Sequence, residues 1–398
     1  MGRALVIGGG IAGTVTAIAL KKVGWEPVVY EAYERTADGV GGWLGVGVNG
    51  VAALESIGLR DLIKDVGVNM SLAGISLGAS GKKIVEFGRF GPQVGRPVNL
   101  SVLRSDLYVA LRDEAVRRGI TVEYGKRLTD AERTAAGVRA TFTNGHAEGD
   151  VLVGADGVHS RVRQIVDPAA PAPRYIPFLQ IDGRASGISV DAESQVYSMV
   201  FGRRCFFTYQ TRPDGQIWWS AHPRRQSELH PAHLAAITGE QWRAELLGLF
   251  RGDRSPAVRL IEATPRIERP HVLYDLPIMP AWHRDRMILV GDAAHAASPA
   301  SGQGASMAIE DAVTLAKCLR DSSGVERAFG EYERLRRERA GAVVAHGKRN
   351  GDQFVPGRLR QVLPFVAARA PRRVAAEDRS WISNYRIDWE EGTVVPSP

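Results

Sequence analysis

A glycine pattern near the start of the chain limits its fold more than any other feature. Gly8, Gly10 and Gly13 follow a strand-like apolar run over residues 3–8 and precede apolar residues at helical spacing. The first glycine permits a tight turn, the second lets the backbone approach a pyrophosphate, and the third lets the helix pack on the strand. Phosphates then lie at the helix N-terminus, where free N–H groups favour an anion. The pattern predicts a βαβ unit that binds a dinucleotide.

The acid after the second predicted strand narrows the choice of dinucleotide. Glu31 directly follows Pro27-Val-Val-Tyr30, and a carboxylate at this strand end accepts hydrogen bonds from ribose hydroxyls. Its negative charge disfavours a 2′-phosphate, so NADP does not belong in this loop. On this unit alone, NAD and FAD both remain open.

Composition and charge exclude several classes of function. The chain has 398 residues with a net charge of +7, and its basic residues are scattered apart from short clusters. The cluster Arg334-Leu-Arg-Arg-Glu-Arg339 is interspersed with glutamates, so we interpret it as a solvated helix face. No nucleic-acid signature is present, and no apolar run reaches the roughly 20 residues of a membrane span. We therefore predict no nucleic-acid partner and no membrane association.

The two cysteines, Cys205 and Cys318, fit free thiols in a reducing compartment and lack the spacing of metal ligands. The first predicted strand begins almost at the N-terminus, which argues against a signal peptide. We expect a cytoplasmic protein with no metal.

A second motif, nearly 300 residues later, distinguishes between the two cofactors. Gly291-Asp292 ends a buried strand-like run and leads through small residues and Pro299 to Gly302-Gln303-Gly304 and a helix. Asp292 is placed to bind a ribityl or ribose hydroxyl, and the small residues allow close approach to a flat ring. The N-terminus of the following helix would stabilise the negative charge of a reduced flavin. We therefore predict FAD.

These blocks, together with Gly154-Ala-Asp-Gly-Val-His-Ser160-Arg-Val-Arg163, resemble the class A flavoprotein monooxygenases, the para-hydroxybenzoate hydroxylase-like FAD-dependent aromatic hydroxylases. The resemblance spans residues 1 to about 320. It implies an α/β fold: a Rossmann-like FAD-binding domain with an inserted β-sheet substrate domain and a helical C-terminus. The expected segments are residues 1–68, 99–172 and 265–345 for the FAD-binding domain, 69–98 and 173–264 for the substrate domain, and 346–398 for the C-terminal helical segment.

The resemblance also assigns site residues. Arg104, in Leu103-Arg104-Ser-Asp-Leu107, is expected at the FAD pyrophosphate or ribityl chain, and Pro299 near flavin C4a. No protein base is assigned, and His295 is expected to be structural. The cofactor-binding residues expected from the motifs and the resemblance are Gly8, Gly10, Ile11, Ala12, Gly13, Glu31, Ala32, Gly45, Val46, Arg104, Leu128, Asp156, Asp292, Pro299, Gly302, Gln303, Gly304 and Ala305.

The implied activity is a single-component monooxygenase. NADPH or NADH acts as a transient reductant, O2 reacts to give the C4a-hydroperoxyflavin, and an aromatic or polycyclic small molecule is hydroxylated or epoxidised. The substrate is expected between the flavin and the strands of residues 173–264, and our hypothesis for it is a bulky apolar natural-product ring. About half of the candidate aromatics should face away from it, and these candidates are Phe201, Phe206, Phe207, Tyr209, Trp218 and Trp219. We expect a monomer or a weak dimer.

Two alternatives stay open, and a third does not fit the sequence. An FAD-dependent reductase or dehydrogenase uses the same scaffold, and a non-catalytic FAD-binding protein would keep the same loops. A flavin-dependent halogenase carries Trp-x-Trp-x-Ile-Pro, which the stretch Ile217-Trp-Trp-Ser-Ala-His-Pro223 does not match.

Overall fold

The computed structural model describes residues 2–34, 41–78, 80–86, 98–191, 194–353 and 380–392. Its strands are β1 (Arg3–Ile7), β2 (Glu26–Tyr30), β3 (Trp43–Val46), β4 (Val68–Asn69), β5 (Ser71–Leu77), β6 (Lys83–Glu86), β7 (Leu100–Leu103), β8 (Thr121–Glu123), β9 (Leu128–Arg133), β10 (Val138–Phe142), β11 (Gly145–Gly149), β12 (Val151–Gly154), β13 (Arg174–Ala185), β14 (Val196–Phe201), β15 (Phe206–Thr211), β16 (Ile217–His222), β17 (His271–Asp275), β18 (His283–Arg284) and β19 (Met287–Leu289). Its helices are α1 (Ile11–Lys22), α2 (Val48–Ser56), α3 (Arg60–Val66), α4 (Arg104–Arg117), α5 (Arg161–Val166), α6 (Pro231–Ala236), α7 (Gly239–Phe250), α8 (Ala257–Glu262), α9 (Asp292–His295), α10 (Gly304–Asp321), α11 (Val325–Gln353) and α12 (Ser380–Ser383), with a 3-10 turn at Pro299–Ser301.

The predicted βαβ unit lies at the centre of a six-stranded sheet of order β18-β19-β12-β1-β2-β8. All neighbours in it are parallel except β18 and β19. The central strands are buried on both faces, as expected of a parallel sheet covered by helices. Because parallel strands end at one edge, the residues after β1, β2, β12 and β19 meet there. That edge carries Gly8, Glu31, Asp156 and Asp292.

The second large sheet has seven strands in the order β17-β13-β16-β15-β14-β5-β6. It combines a strand from residues 71–77, parallel to β14, with strands from residues 174–275. Alternate residues point to opposite faces. One face packs on α7 and α8 in a separate apolar core that contains Ile181, Phe207 and Trp219. The other face is therefore turned toward the first sheet.

Two three-stranded sheets complete the described part of the chain. In one, Asn144-Gly145 joins β10 to β11, and the positive φ of Gly145 (+110°) is typical of a tight hairpin turn. In the other, β7 pairs with both β3 and β4. Trp43 of β3 contacts Tyr197 and Trp218 of the seven-stranded sheet, with ring centroids 5.4 and 6.3 Å apart. This small sheet therefore lies between the two large ones.

From residue 304 to residue 353 the chain is almost entirely two helices, α10 and α11. The boundary that we placed between residues 345 and 346 falls inside α11, and residues 384–392 are not helical. Residues 354–379 and 393–398 lie outside the described residues. Among the described residues, no helix has both the length and the apolar character that a bilayer span requires.

The interpretation of residues 334–339 as a solvated helix face is wrong for two of its arginines. Arg336 is fully buried and Arg339 nearly so, and both pair with Glu310 of α10. Arg334 behaves as predicted, since it is exposed and pairs with Glu331 on its own helix. Arg337, one third exposed, likewise pairs with Glu333 of α11. The periodicity of α11 could not reveal this, because the partner acids lie on another helix.

Candidate functional site: a dinucleotide cleft beside a polar sheet face

The Gly8–Gly13 turn has the backbone geometry that the sequence predicts. Gly8 has φ +106°, and a Cβ there would lie 2.5 Å from the Ala155 carbonyl oxygen. A Cβ on Gly13 would overlap the Gly8 carbonyl oxygen, so α1 can pack this closely on β1 only with glycine. A Cβ on Gly10 would meet only Tyr108 Oη, 3.9 Å away. Gly10 therefore faces open space, as a residue that approaches a ligand must.

The N-terminus of α1 is electrostatically ready for an anion. Its N-cap is Gly10, which provides no side-chain cap, and its first turn, which includes Ile11 and Ala12, contains no acid. Glu31 lies nearby, where its Oε2 accepts from the Gly9 N–H at 2.8 Å and its Oε1 from the Tyr33 N–H. The amide contacts hold the carboxylate at the strand end, and the half-buried Ala32 follows it.

The second motif is in direct contact with the first. Gly291 has φ +59°, and a Cβ there would lie 2.9 Å from the Ala12 Cβ of α1. Asp292 follows with its side chain exposed to the cleft, and no described residue donates a hydrogen bond to it. The surrounding protein nevertheless raises its pKa by desolvation. A carboxylate in this state is suited to accept hydroxyl hydrogen bonds.

The loop that leads to α10 is open on the cleft side. Pro299 and Gly302 are exposed, while Gln303, Gly304 and Ala305 are half-buried. A Cβ on Gly302 or Gly304 would meet nothing within 4 Å. As in α1, the first turn of α10 has neither a side-chain cap nor an acid. Two uncapped helix N-termini in one cleft fit a dinucleotide whose pyrophosphate and ring system each need N–H donors.

Arg104 begins α4, and its charge affects titratable side chains on three other elements, α9, β13 and β17. Its side chain is exposed, and its backbone N–H donates to the Gly42 carbonyl at 3.0 Å. Desolvation by the surrounding protein raises the pKa of both Asp292 and Asp182, and the Arg104 charge opposes each rise. Burial lowers the pKa of His271, and Arg104 lowers it further. The predicted FAD contacts Arg104 and Asp292 therefore face the same space.

Asp156 has a different environment from the other strand-end acids. Its carboxylate accepts from Ser160 Oγ at 2.5 Å and from the backbone N–H groups of Arg161 and Val162 at 2.7 and 3.0 Å. These bonds satisfy the start of α5. The side chain thus organises the turn after β12. Its predicted contact with the cofactor is supported only by its place at the end of that strand.

Two of the remaining predicted contact residues have their side chains in the apolar core. Val46 is fully buried and Leu128 is 7% exposed, and both side chains belong to the main apolar core. Gly45 is half-buried on β3 next to Met70. Any contact of Val46 or Leu128 with a ligand would therefore use main-chain atoms.

His295 is structural, as expected. Its Nε2 lies 2.5 Å from Asp311 Oδ2, and the ring is buried. Asp311 also accepts from the Gly291 N–H at 2.8 Å and from Arg336 Nε at 2.7 Å. Burial alone would raise the pKa of Asp311. The charges and hydrogen bonds of His295 and Arg336 outweigh that effect and lower this pKa to about 2. Within the described residues, no cluster of His, Cys, Asp and Glu is arranged to hold a metal.

A buried polar cluster behind the loop carries no signal in the sequence pattern. Asn49 Nδ2 donates to Gln303 Oε1 at 2.9 Å and to Glu310 Oε1 at 2.7 Å. Ser306 Oγ accepts from the Gly47 N–H at 2.8 Å. These bonds fix the start of α10 against α2, so the open face of the loop is held in place from behind.

Strand register divides the cleft-facing side of the seven-stranded sheet into three transverse rows, which sequence reasoning also missed. We name them after one member each. The Gln180 row is Gln180, His222, Phe206 and Phe201. The Asp182 row is Asp182, Ser220, Thr208 and Met199. The Trp218 row is Arg184, Trp218, Gln210 and Tyr197. Of the six predicted aromatics, Phe201, Phe206 and Trp218 lie on this side, while Phe207, Tyr209 and Trp219 pack in the opposite core.

The small sheet covers the Trp218 row and part of the Asp182 row. Gln210 bonds to Ser101 of β7 and to the Asn69 carbonyl. A Cβ on Gly42 would collide with Asp182 Oδ2, so the chain before β3 lies directly on that carboxylate. In the Gln180 row, Gln180 and His222 keep part of their surface accessible. That row is therefore the part of the face best placed to meet a ligand.

Comparison with known proteins agrees with this geometry. Residues 2–346 match the family model described as FAD binding domain. An FAD-dependent urate hydroxylase from Klebsiella oxytoca is 31% identical over 360 residues, which are 88% of this chain and 90% of the relative. The aurachin C monooxygenase/isomerase of Stigmatella aurantiaca is 30% identical over 358 residues, 87% of this chain and 88% of the relative.

A solved structure supports the same assignment. Klebsiella pneumoniae HpxO, complexed with FAD and uric acid, superposes with a TM-score of 0.83 at 27% identity and covers 96% of this chain and 95% of its own. The α/β fold and FAD as cofactor, both predicted from the sequence, are confirmed. The chain therefore belongs to the FAD-binding domain family and is an FAD-dependent class A flavoprotein monooxygenase.

Proposed function

We propose that FAD lies along the edge where β1, β2, β12 and β19 end, with its pyrophosphate at α1 and its ring near the loop before α10. Two uncapped helix N-termini and the free Asp292 carboxylate support this placement. The residues proposed to contact it are Gly8, Gly10, Ile11, Ala12, Gly13, Glu31, Ala32, Gly45, Val46, Arg104, Leu128, Asp156, Asp292, Pro299, Gly302, Gln303, Gly304 and Ala305.

Bound FAD would supply hydride acceptance from NADPH or NADH and activation of O2. The protein's own residues then have two tasks. The N–H groups at the start of α10 favour negative charge on the ring, and the small sheet excludes water between the ring and the seven-stranded sheet.

We further propose that the substrate is an uncharged aromatic or heteroaromatic ring. The observation that carries this is the composition of the Gln180 row, which combines two phenylalanines with a glutamine and a histidine. Burial lowers the pKa of His222 to about 4, so it is neutral at physiological pH. A charged substrate would find no counter-ion in this row, and desolvating it there would be costly. The complex of HpxO with uric acid shows that a neighbour in this fold takes a flat heterocycle.

The test uses the purified yellow holoenzyme with NADPH and NADH in turn. We expect an uncharged aromatic from a panel of ring compounds to accelerate NAD(P)H oxidation, and one atom of 18O2 to appear in the product. Flavin bleaching without oxygen incorporation would instead indicate a reductase or dehydrogenase. A protein that cannot be loaded with FAD would overturn the whole proposal.

The domain limits predicted from the sequence remain a proposal, and so do a cytoplasmic location and a monomeric or weakly dimeric state. Both free cysteines are buried, which is compatible with a reducing compartment.

A further inference from the structure

Asp182 is a buried acid that the chemistry described above does not use. It lies on the cleft-facing side of β13 and is 2% exposed. Ser220 Oγ donates to its Oδ1, and Gln180 Nε2 donates to Oδ1 at 3.2 Å and to Oδ2 at 3.0 Å. All three side chains project from the same face of the sheet. The acid is thus held by its neighbours within the sheet and covered by Gly42.

This arrangement fixes the orientation of one amide. An ionised carboxylate only accepts hydrogen bonds, so the NH2 end of Gln180 must face Asp182. The carbonyl Oε1 of Gln180 then points away from the acid, and no described residue donates a hydrogen bond to it. Gln180 is half-buried, so part of it remains accessible from the cleft.

The position of Gln180 places that oxygen among other uncharged polar groups. Its cross-strand partner on β17 is His271, and the pairing of Ile181 with Ala221 brings His222 beside it on β16. Burial keeps both imidazoles neutral at physiological pH. The phenyl ring of Phe206 follows, with its centroid 5.4 Å from that of His222. The row therefore offers a mostly aromatic, uncharged surface with an oriented acceptor at one end.

We propose that Gln180 Oε1, oriented by Asp182, is the acceptor that selects substrates with a ring N–H or O–H donor. Gln180 contacts the substrate, and Asp182 is a positioning residue that acts through it. This inference rests on the proposed function, because it assumes that the Gln180 row faces the substrate. The inference adds which donor group the ring must carry and which residue accepts its hydrogen bond.

The selectivity has a physical basis in the cost of an unpaired buried acceptor. A methylated ring leaves Oε1 without a donor in a desolvated cleft, which disfavours binding by roughly 10- to 100-fold. Without the orienting acid, the amide can reverse and present its NH2 group instead, so discrimination falls.

The experiment measures ligand binding to the holoenzyme without NAD(P)H, from the perturbation of the flavin absorption band. The probes are three matched pairs: 2-quinolone and N-methyl-2-quinolone, indole and 1-methylindole, 7-hydroxycoumarin and 7-methoxycoumarin. We expect the donor-bearing member of at least one pair to bind at least about 10-fold more tightly than its methylated partner. In Gln180→Met that ratio falls below about 3 while the Kd of the methylated member stays unchanged. Asp182→Asn gives an intermediate ratio.

Gln216→Met serves as a matched control, because Gln216 is exposed on the turn between β15 and β16 and should leave the ratio unchanged. Thermal unfolding of each holoenzyme checks that the variants fold, and Asp182→Asn provides an independent reading should Gln180→Met unfold. Equal binding of both members, binding of no member of any pair, or an unchanged ratio in both variants would overturn the inference. If the inference fails but the enzyme still transfers oxygen to a ring without a donor group, the proposed monooxygenase function is retained.

Discussion

The Arg336 guanidinium of α11 donates through Nε to Asp311 Oδ1 of α10 at 2.7 Å, and both side chains are fully buried. The same guanidinium pairs with Glu310 through Nη1 at 2.7 Å. Asp311 in turn binds the Gly291 N–H and the His295 ring. One cation on α11 therefore bridges two adjacent buried acids and supports the strand end that carries Asp292.

Replacing Arg336 by leucine should destabilise the protein severely. The substitution leaves Glu310 and Asp311 buried with too little positive charge, and breaking a buried ion pair in this way costs about 3–5 kcal/mol. Urea unfolding should show that loss. Arg334→Leu is the control on the same helix, because Arg334 is 64% exposed and its pair with Glu331 contributes at most about 1 kcal/mol. Equal losses in the two variants would contradict the role given to Arg336.

Sequence patterns predicted the elements whose signals are local. The glycine spacing, the buried run before it and the acid at position 31 are all read within one βαβ unit, and the structure places them as expected. The strands expected within residues 173–264 include β14, β15 and β16, and Asp214-Gly215 forms the turn between the last two. Their phase was not readable, since each of the three strands carries apolar residues on both faces.

What the sequence could not show depends on partners far along the chain. By its spacing in the sequence, Arg336 resembles a surface arginine. Only the folded structure shows that it packs against Glu310 and Asp311 of α10. Gln180 and Asp182 alternate with apolar residues as in any half-exposed strand, and only the register with Ser220 reveals their hydrogen bonds. Gln180 and Asp182 can be recognised as candidate site residues only once the strands of the sheet are paired.

Gly13→Ala should abolish flavin binding. The added Cβ overlaps the Gly8 carbonyl oxygen, so α1 must move away from β1 and the N–H groups of its first turn no longer converge. We expect a colourless protein, measured as the ratio of flavin to protein absorbance, and an FAD Kd raised beyond measurement. Gly330→Ala in α11, where a Cβ meets nothing within 4 Å, should keep its colour and gain up to about 1 kcal/mol. A yellow Gly13→Ala protein would show that the turn tolerates a Cβ.

Asp182 should make stability depend on pH. Burial raises its pKa from 3.8 to about 6, so the native state holds this proton more tightly than the unfolded state. Its contribution to stability is therefore greatest at low pH and is lost as pH rises through about 6. Asp182→Asn removes this dependence, and its stability relative to the parent protein should rise by about 1.4 kcal/mol between about pH 5 and pH 7.5. Asp214→Asn, at an exposed turn, should show no such trend in urea unfolding.

Arg104→Met tests the electrostatics of the cleft itself. Arg104 opposes the rise in the pKa of Asp182 and Asp292 that desolvation causes, so its removal should push the pKa of Asp182 above about 6 and move the pH transition of stability upward. If Arg104 also contacts the FAD pyrophosphate, a charge-assisted bond of about 1.5–3 kcal/mol is lost and the FAD Kd rises by about 10- to 100-fold. Fluorescence titration of the apoprotein measures this, and the affinity of the variant should fall less steeply with added salt. Arg117→Met, at the exposed far end of α4, should change neither quantity. An unchanged FAD affinity in Arg104→Met, together with a shifted pH transition, would place Arg104 in the cleft but away from the pyrophosphate.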